Sequence, residues 1–256
     1  MDSIRYMERF MHCGFVAIAP HTGEVKAWVG DINFQSWKYD KVLSKRQPGS
    51  TFKLFVYTEA MNQGLSPCDL RVDENIPWEV EENGEKKLWM PHNANGGATL
   101  DTMSLKMAFA QSVNTIAANI AHEVGIHQIA TTAHRMGIQT KLEETPALSL
   151  GASDVSLLEL VSAYGTVVND GEAIQPTLIT RVENKDGKVI YQQEAEATQA
   201  IPYASAYLMQ QMLRGGLTCP KGTSQALWRF RIFDKGTEFG GKTGTCLLYT
   251  SPSPRD

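Results

Sequence analysis

No apolar run in the 256-residue chain approaches the roughly 18 residues that a membrane-spanning helix needs. The opening Met1-Asp2-Ser3-Ile4-Arg5-Tyr6 lacks the apolar stretch of a secretory signal, so the chain as written carries no address. Its four cysteines (Cys13, Cys68, Cys219, Cys246) are scattered and form no CxxC pair, which argues against both a zinc site and a disulfide-dense scaffold. Basic runs are absent too. With 24 Lys+Arg against 28 Asp+Glu and a net charge of -4, nucleic acid and an anionic membrane surface are set aside as main partners. No internal repeat is visible. What remains is 42% hydrophobic and 20% charged, the balance of one large globular domain able to bury a sizeable core.

The chain opens with β-rich runs at residues 13 to 30 joined at Pro20-His21-Thr22-Gly23, which predicts a hairpin. Gln47-Pro48-Gly49 stops extended structure. Ser50 then begins a helix whose Phe52, Phe55, Val56 and Ala60 face inward before Gly64 ends it. Residues 65 to 98 read as an irregular excursion with one short strand pair. Helical spacing runs from Thr102 to Met136 with breaks near Ser112 and Gly125, and again from Asp154 to Val168, closed by Asn169-Asp170-Gly171. A second hairpin turns at Lys185-Asp186-Gly187-Lys188, and Pro202 to Leu213 is a helix. Interleaved helices and hairpins predict an α+β fold, an antiparallel sheet flanked by helices and not a βαβ repeat.

Three short motifs carry chemistry. Ser50-Thr51-Phe52-Lys53 is the one Ser-x-x-Lys, and at i and i+3 on a helix a hydroxyl and an amine share a face, so that a proton-accepting lysine activates the serine. A helix start also favours a nearby oxyanion. Taken alone, the same string fits a serine cap followed by a solvated lysine. Ser112-Val113-Asn114 lies between helical segments, where alternate residues turn a hydroxyl and an amide toward one cleft; taken alone, helix capping is the better account of it. Lys242-Thr243-Gly244-Thr245, after Gly240-Gly241, on an edge strand supplies positive charge, carboxylate-binding hydroxyls and close backbone approach. A Gly-rich turn is the plain reading.

Gly236 to Thr243 also satisfies the phosphate-loop pattern G-x-x-x-x-G-K-[ST]. That loop needs a helix directly after Lys-Thr and a later acidic strand for magnesium, whereas Gly-Thr-Cys follows here, so nucleotide binding is the weaker alternative. His122 and His127 lie five residues apart, about 140° around a helix, and do not share a face as the histidines of H-E-x-x-H do. No metal and no cofactor are expected.

The ordered set Ser-x-x-Lys, Ser-x-Asn, Lys-Thr-Gly is specific where each part is not. On it the chain resembles the transpeptidase domain of class A (bifunctional) penicillin-binding proteins, over about Gly14 to Thr245. The likeness includes the Phe15 to Val25 hairpin, Arg46 to Lys53, Gly151 to Val155 with Glu159 and Tyr164, and Gly222-Thr223-Ser224. The resemblance implies the penicillin-binding protein and serine β-lactamase-like fold, incomplete at the C-terminus. It implies Ser50 as the nucleophile acylated by D-Ala-D-Ala stem peptides of peptidoglycan, and Lys53 as general base. Ser112 passes the proton onward with Lys242 shaping the field, Asn114 holds the substrate amide, and Thr243, Gly244 and Thr245 receive the terminal carboxylate. Backbone N–H groups of Ser50 and Thr245 form the oxyanion hole. β-Lactams mimic the dipeptide and are the expected inhibitors.

The resemblance divides the chain into a partial transpeptidase domain, residues 1 to 245, and a tail, residues 246 to 256, expected to be a sequencing or assembly scar. It places the parent protein on the extracytoplasmic (periplasmic) face of the cytoplasmic membrane, attached through an N-terminal anchor that precedes this region. A class A β-lactamase needs a deacylating glutamate within Glu-x-x-Leu-Asn, a string not found here. A β-lactam-binding sensor without cross-linking activity keeps the three motifs and stays open as the alternative.

Overall fold

A computed structural model describes residues 11–245 apart from residues 34, 36, 37, 83, 84, 95 and 235. The expected tail at residues 246–256 lies outside the described residues. The fold is organised around α1, Lys53–Asn62, in which every residue from Lys53 to Met61 is buried. A helix buried on all sides, its polar Lys53, Thr58 and Glu59 included, has no solvent face to keep and sits in the centre of a core. Gly64, with φ +96°, ends the helical segment because only a residue without Cβ takes that conformation cheaply. Phe52, Phe55, Val56 and Ala60 are fully enclosed, as their spacing predicts.

Around α1 pack α2 (Leu105–Gln111), α3 (Asn114–Val124), α4 (Ile126–Arg135), α5 (Leu157–Val168) and α6 (Tyr203–Thr218), with α3, α4 and α6 directly against it. The breaks expected near Ser112 and Gly125 separate α2 from α3 and α3 from α4. Helix α5 starts three residues later than its pattern implies, since Val155–Ser156 is taken up by a strand. Ser156 and Glu159 then form a reciprocal capping box at its start. Helix α6 runs five residues past Leu213 because Met212, Leu213, Gly215, Gly216 and Leu217 remain buried.

Every paired strand is antiparallel, in six two-stranded ladders among the described residues. The opening hairpin is β1 (Phe15–Ile18) with β2 (Val25–Val29); β3 (Lys45–Arg46) pairs with β8 (Val155–Ser156). In the excursion, β4 (Leu70–Val72) pairs with β7 (Thr102–Ser104) and β5 (Trp78–Glu82) with β6 (Glu85–Trp89). Further on, β9 (Glu172–Ile174) pairs with β12 (Ala197–Gln199) and β10 (Arg181–Glu183) with β11 (Val189–Gln192). The strands thus stand as separate pairs where the sequence suggests one continuous sheet. Lys242 to Thr245, expected on an edge strand, is outside any ladder among the described residues. A strand exists only through a neighbour that accepts its N–H groups, and this segment is held instead by other contacts.

Candidate active site

Ser50 is half-buried on a tight 3-10 turn, Gly49–Phe52, that leads straight into α1, in place of the α-helical start expected there. Two close approaches shape this turn. Gly49, at φ +54°, leaves no room for a Cβ, which would stand 2.1 Å from the carbonyl oxygen of Thr245. A Cβ on Gly244 would lie 2.7 Å from the Pro48 carbonyl oxygen and 3.1 Å from the Thr51 nitrogen. The glycines of two motifs therefore let the Lys242–Thr245 backbone press against the serine turn. From below, the Tyr164 hydroxyl, its pKa pushed up by burial, donates to the Thr51 carbonyl at 2.9 Å. Gly49 N–H donates to the Gly151 carbonyl at 3.3 Å.

Lys53, one turn after Ser50, is wholly enclosed and is not the solvated lysine of the plain reading. Its Nζ donates to the Ser112 carbonyl at 2.7 Å and to Asn114 Oδ1 at 2.5 Å, and lies within hydrogen-bond reach of Ser112 Oγ at 3.3 Å. None of these bonds goes to Ser50. Burial first, and the charge of Lys242 second, hold the Lys53 amine well below the ordinary lysine range. A neutral amine has two hydrogens and one lone pair. The two carbonyl-type oxygens accept only, so they take the hydrogens and leave the lone pair for a hydroxyl.

Lys242 reaches Ser112 from the other side. Its Nζ donates to Ser112 Oγ at 2.8 Å and to the Thr243 carbonyl at 2.8 Å, and lies 5.9 Å from the centre of the Phe109 ring. Burial lowers its pKa to about 8. Ser112 thus stands between two amines, and the charge of Lys242 disfavours protonation of Lys53. Its backbone, at φ 61° and ψ 37°, occupies the left-handed region that a non-glycine residue rarely takes, at the C-terminus of α2. The helix break seen in the sequence is this corner. Thr243 Oγ1 donates to Thr223 Oγ1 at 2.7 Å, tying the third motif to the Gly222-Thr223-Ser224 segment.

Lys53, Ser112, Asn114 and Lys242 are joined by direct hydrogen bonds. Gly244 and Thr245 lie against the serine turn through the glycine contacts, Thr243 joins through its own backbone carbonyl, and Ser50 enters by its place on that turn, one turn before Lys53. Sequence reasoning missed the supports of Asn114: its amide nitrogen side chain donates to the His92 carbonyl at 2.8 Å, and its backbone N–H to Asn93 Oδ1 at 2.8 Å. No local pattern marks His92 or Asn93, which lie about twenty residues upstream in the irregular excursion. Of the rejected histidines, His122 packs edge-on to Trp78 at 4.8 Å and His127 bonds Glu144 at 3.0 Å. No group of three or more His, Cys, Asp or Glu side chains suited to a metal ion occurs among the described residues. The segment after Lys242-Thr243 forms no helix up to Thr245, unlike a phosphate loop.

The chain is similar in sequence and in fold to known penicillin-binding proteins. Penicillin-binding protein 2D of Bacillus subtilis is 32% identical over 234 residues, 91% of this chain and 34% of that protein. Penicillin-binding protein 1A of Vibrio cholerae is 31% identical over 264 residues, 90% of this chain and 31% of that protein. The chain therefore spans about a third of the length of these curated relatives. The crystal structure of penicillin-binding protein 1A from Haemophilus influenzae superposes with a TM-score of 0.80 at 25% identity, covering 92% of this chain and 40% of that one. The family profile of the penicillin binding protein transpeptidase domain matches residues 13–254, and the chain belongs to that family.

Proposed function

We propose that this chain carries the D,D-transpeptidase centre of a class A penicillin-binding protein, cross-linking peptidoglycan stem peptides through a serine acyl-enzyme. The observation that carries the reading is the convergence on Ser112 of Lys242 and of Lys53, the lysine one turn after Ser50. Ser50 Oγ attacks the carbonyl of the penultimate D-Ala while its proton passes to the neutral Lys53 amine. Backbone N–H groups of Ser50 and Thr245 stabilise the resulting oxyanion. Collapse breaks the peptide bond, and the departing D-Ala takes a proton through Ser112 with Lys242 beside it. Asn114 holds the substrate amide, and Thr243, Gly244 and Thr245 receive its carboxylate. An amine of a neighbouring stem then attacks the ester, forming the cross-link and returning the proton to Ser50. No cofactor is used.

β-Lactams acylate Ser50 by the same route, and the site works on the outer face of the cytoplasmic membrane. No helix among the described residues is long and apolar enough to cross a membrane. Fluorescent penicillin followed by peptide mapping tests the reading. The adduct is expected on the peptide holding Ser50, with labelling abolished in Ser50→Ala. Label on another peptide, or undiminished labelling of that variant, refutes it.

A further inference from the structure

Helix α3 begins without a cap of its own. Its N-cap residue is Val113, which has no side chain able to accept a hydrogen bond, so the first N–H groups of α3 need a partner from elsewhere. Asn93 supplies it. Its Oδ1 accepts from Asn114 N–H at 2.8 Å and from Thr115 N–H at 3.4 Å. The other end of the same amide, Nδ2, donates to both oxygens of Asp73, at 2.9 and 3.1 Å. Asp73 is buried, and its carboxylate also accepts from Thr99 N–H at 3.0 Å, Thr99 Oγ1 at 2.9 Å and the Thr115 hydroxyl.

An ionised carboxylate only accepts, so it admits one orientation of the Asn93 amide: NH2 toward Asp73, oxygen toward α3. Burial pushes the Asp73 pKa up, but the bonds from Thr115, Thr99 and Asn93 outweigh it, and the group stays below the usual carboxylate value. Beside Asn93, the His92 carbonyl takes the Asn114 side-chain NH2, which turns Asn114 Oδ1 toward Lys53. The strained left-handed Ser112 lies two residues before Asn114, in the same corner.

We propose that Asp73 and Asn93 are positioning residues for the Ser112-Val113-Asn114 corner: Asp73 orients the Asn93 amide, which caps α3 from outside and sets Ser112 and Asn114 around the Lys53 amine. The role rests on the transpeptidase reading for its chemistry, and on the geometry alone for the cap. It predicts that the direction of the Asp73–Asn93 bond matters more than the volume of either side chain.

Three near-isosteric changes in the full chain test it: Asp73→Asn, Asn93→Asp, and the two together. Each single change sets like groups face to face, two amides or two carboxyls. The swap restores a donor against an acceptor, with the Thr115 hydroxyl free to accept in its turn. Each single variant is expected to slow acylation of Ser50 by penicillin about 10- to 100-fold, the loss that about 1 Å of misplacement causes. Non-covalent encounter with the drug stays within about threefold of the parent, and the swap recovers to within about threefold as well, as coupled neighbours do. Asn93→Ser, which removes the cap without opposing like groups, carries the same expectation where a single variant does not fold. Amide exchange at Asn114 and Thr115 reads the cap independently and is expected to quicken in the single variants and in Asn93→Ser.

An unlabelled parent chain overturns the functional reading, while exchange still decides the cap. A labelled parent with single variants or Asn93→Ser acylated within about threefold of it overturns the positioning role. So does a swap no faster than its components, or unchanged exchange at Asn114 and Thr115.

Discussion

The two lysines that meet at Ser112 come from opposite kinds of structure. Lys53 belongs to a helix buried on every side, and its amine is fixed by three bonds to groups that are themselves in or beside helices. Lys242 belongs to an extended segment with no ladder partner among the described residues. That segment is secured by Gly241 N–H on the Leu213 carbonyl at 3.1 Å, by the Thr243–Thr223 bond and by the glycine contacts. Burying a cation is costly, and a rigid core is what keeps Lys53 desolvated and depressed. In the proposed reading the exposed segment, Thr243 to Thr245, is the wall that meets substrate, and exposed segments of this kind open locally at lower cost. One wall thus sets protonation, and the other sets fit.

The largest expected effect probes the buried wall. Lys53→Arg keeps a positive charge but removes a base, because guanidinium does not deprotonate in this range. Acylation by penicillin is expected to fall about 10²- to 10⁴-fold, measured by stopped-flow labelling. A rate within a few-fold of the parent would reduce Lys53 to an electrostatic role and erase the contrast between the walls.

Separating the walls should cost less. Gly244→Ala puts a methyl group where the Pro48 carbonyl and Thr51 stand, pushing the Lys242–Thr245 backbone outward while the helices stay put. Acylation is expected to slow about 10- to 100-fold. The thermal midpoint should move by less than about 4 °C, the shift of about 1 kcal/mol in a chain of this size. A larger loss of stability would show that the segment belongs to the core after all.

The smallest effect is in the pH profile. Lys242 is depressed to about 8 by burial, so its charge is lost as pH rises through that value, and acylation should decline about tenfold by one to two units above it. Lys242→Arg should abolish this limb within the accessible range. The linkage to stability has the opposite sign. An amine whose folded pKa lies below its unfolded one binds fewer protons when folded, so stability rises with pH between about 8 and the ordinary lysine value. A profile flat across pH 7 to 9 would mean that Lys242 is not the charged partner of Ser112.

Much of this was legible in the chain itself. Apolar spacing located the central helix through Phe52, Phe55, Val56 and Ala60, and the breaks at Ser112 and Gly125 were visible as interruptions in that spacing. Turn residues marked both hairpins. Ser50, Lys53, Ser112, Asn114 and Lys242 stand out in the sequence because their order and residue types match one chemistry. These features are local, or depend on order along the chain, and sequence records both directly. Other features depend on residues far apart. That Lys53 turns to Ser112 and Asn114 and away from Ser50, that Ser112 adopts a left-handed backbone, and that Gly49 and Gly244 exist to let two segments touch are consequences of packing. The same holds for Lys242 lying outside any ladder among the described residues, and for Asn93, held by Asp73, capping a helix some twenty residues later. Hydrogen-bond partners across such separations are selected by which surfaces the buried core brings together, a choice that no periodicity of 2 or 3.6 encodes.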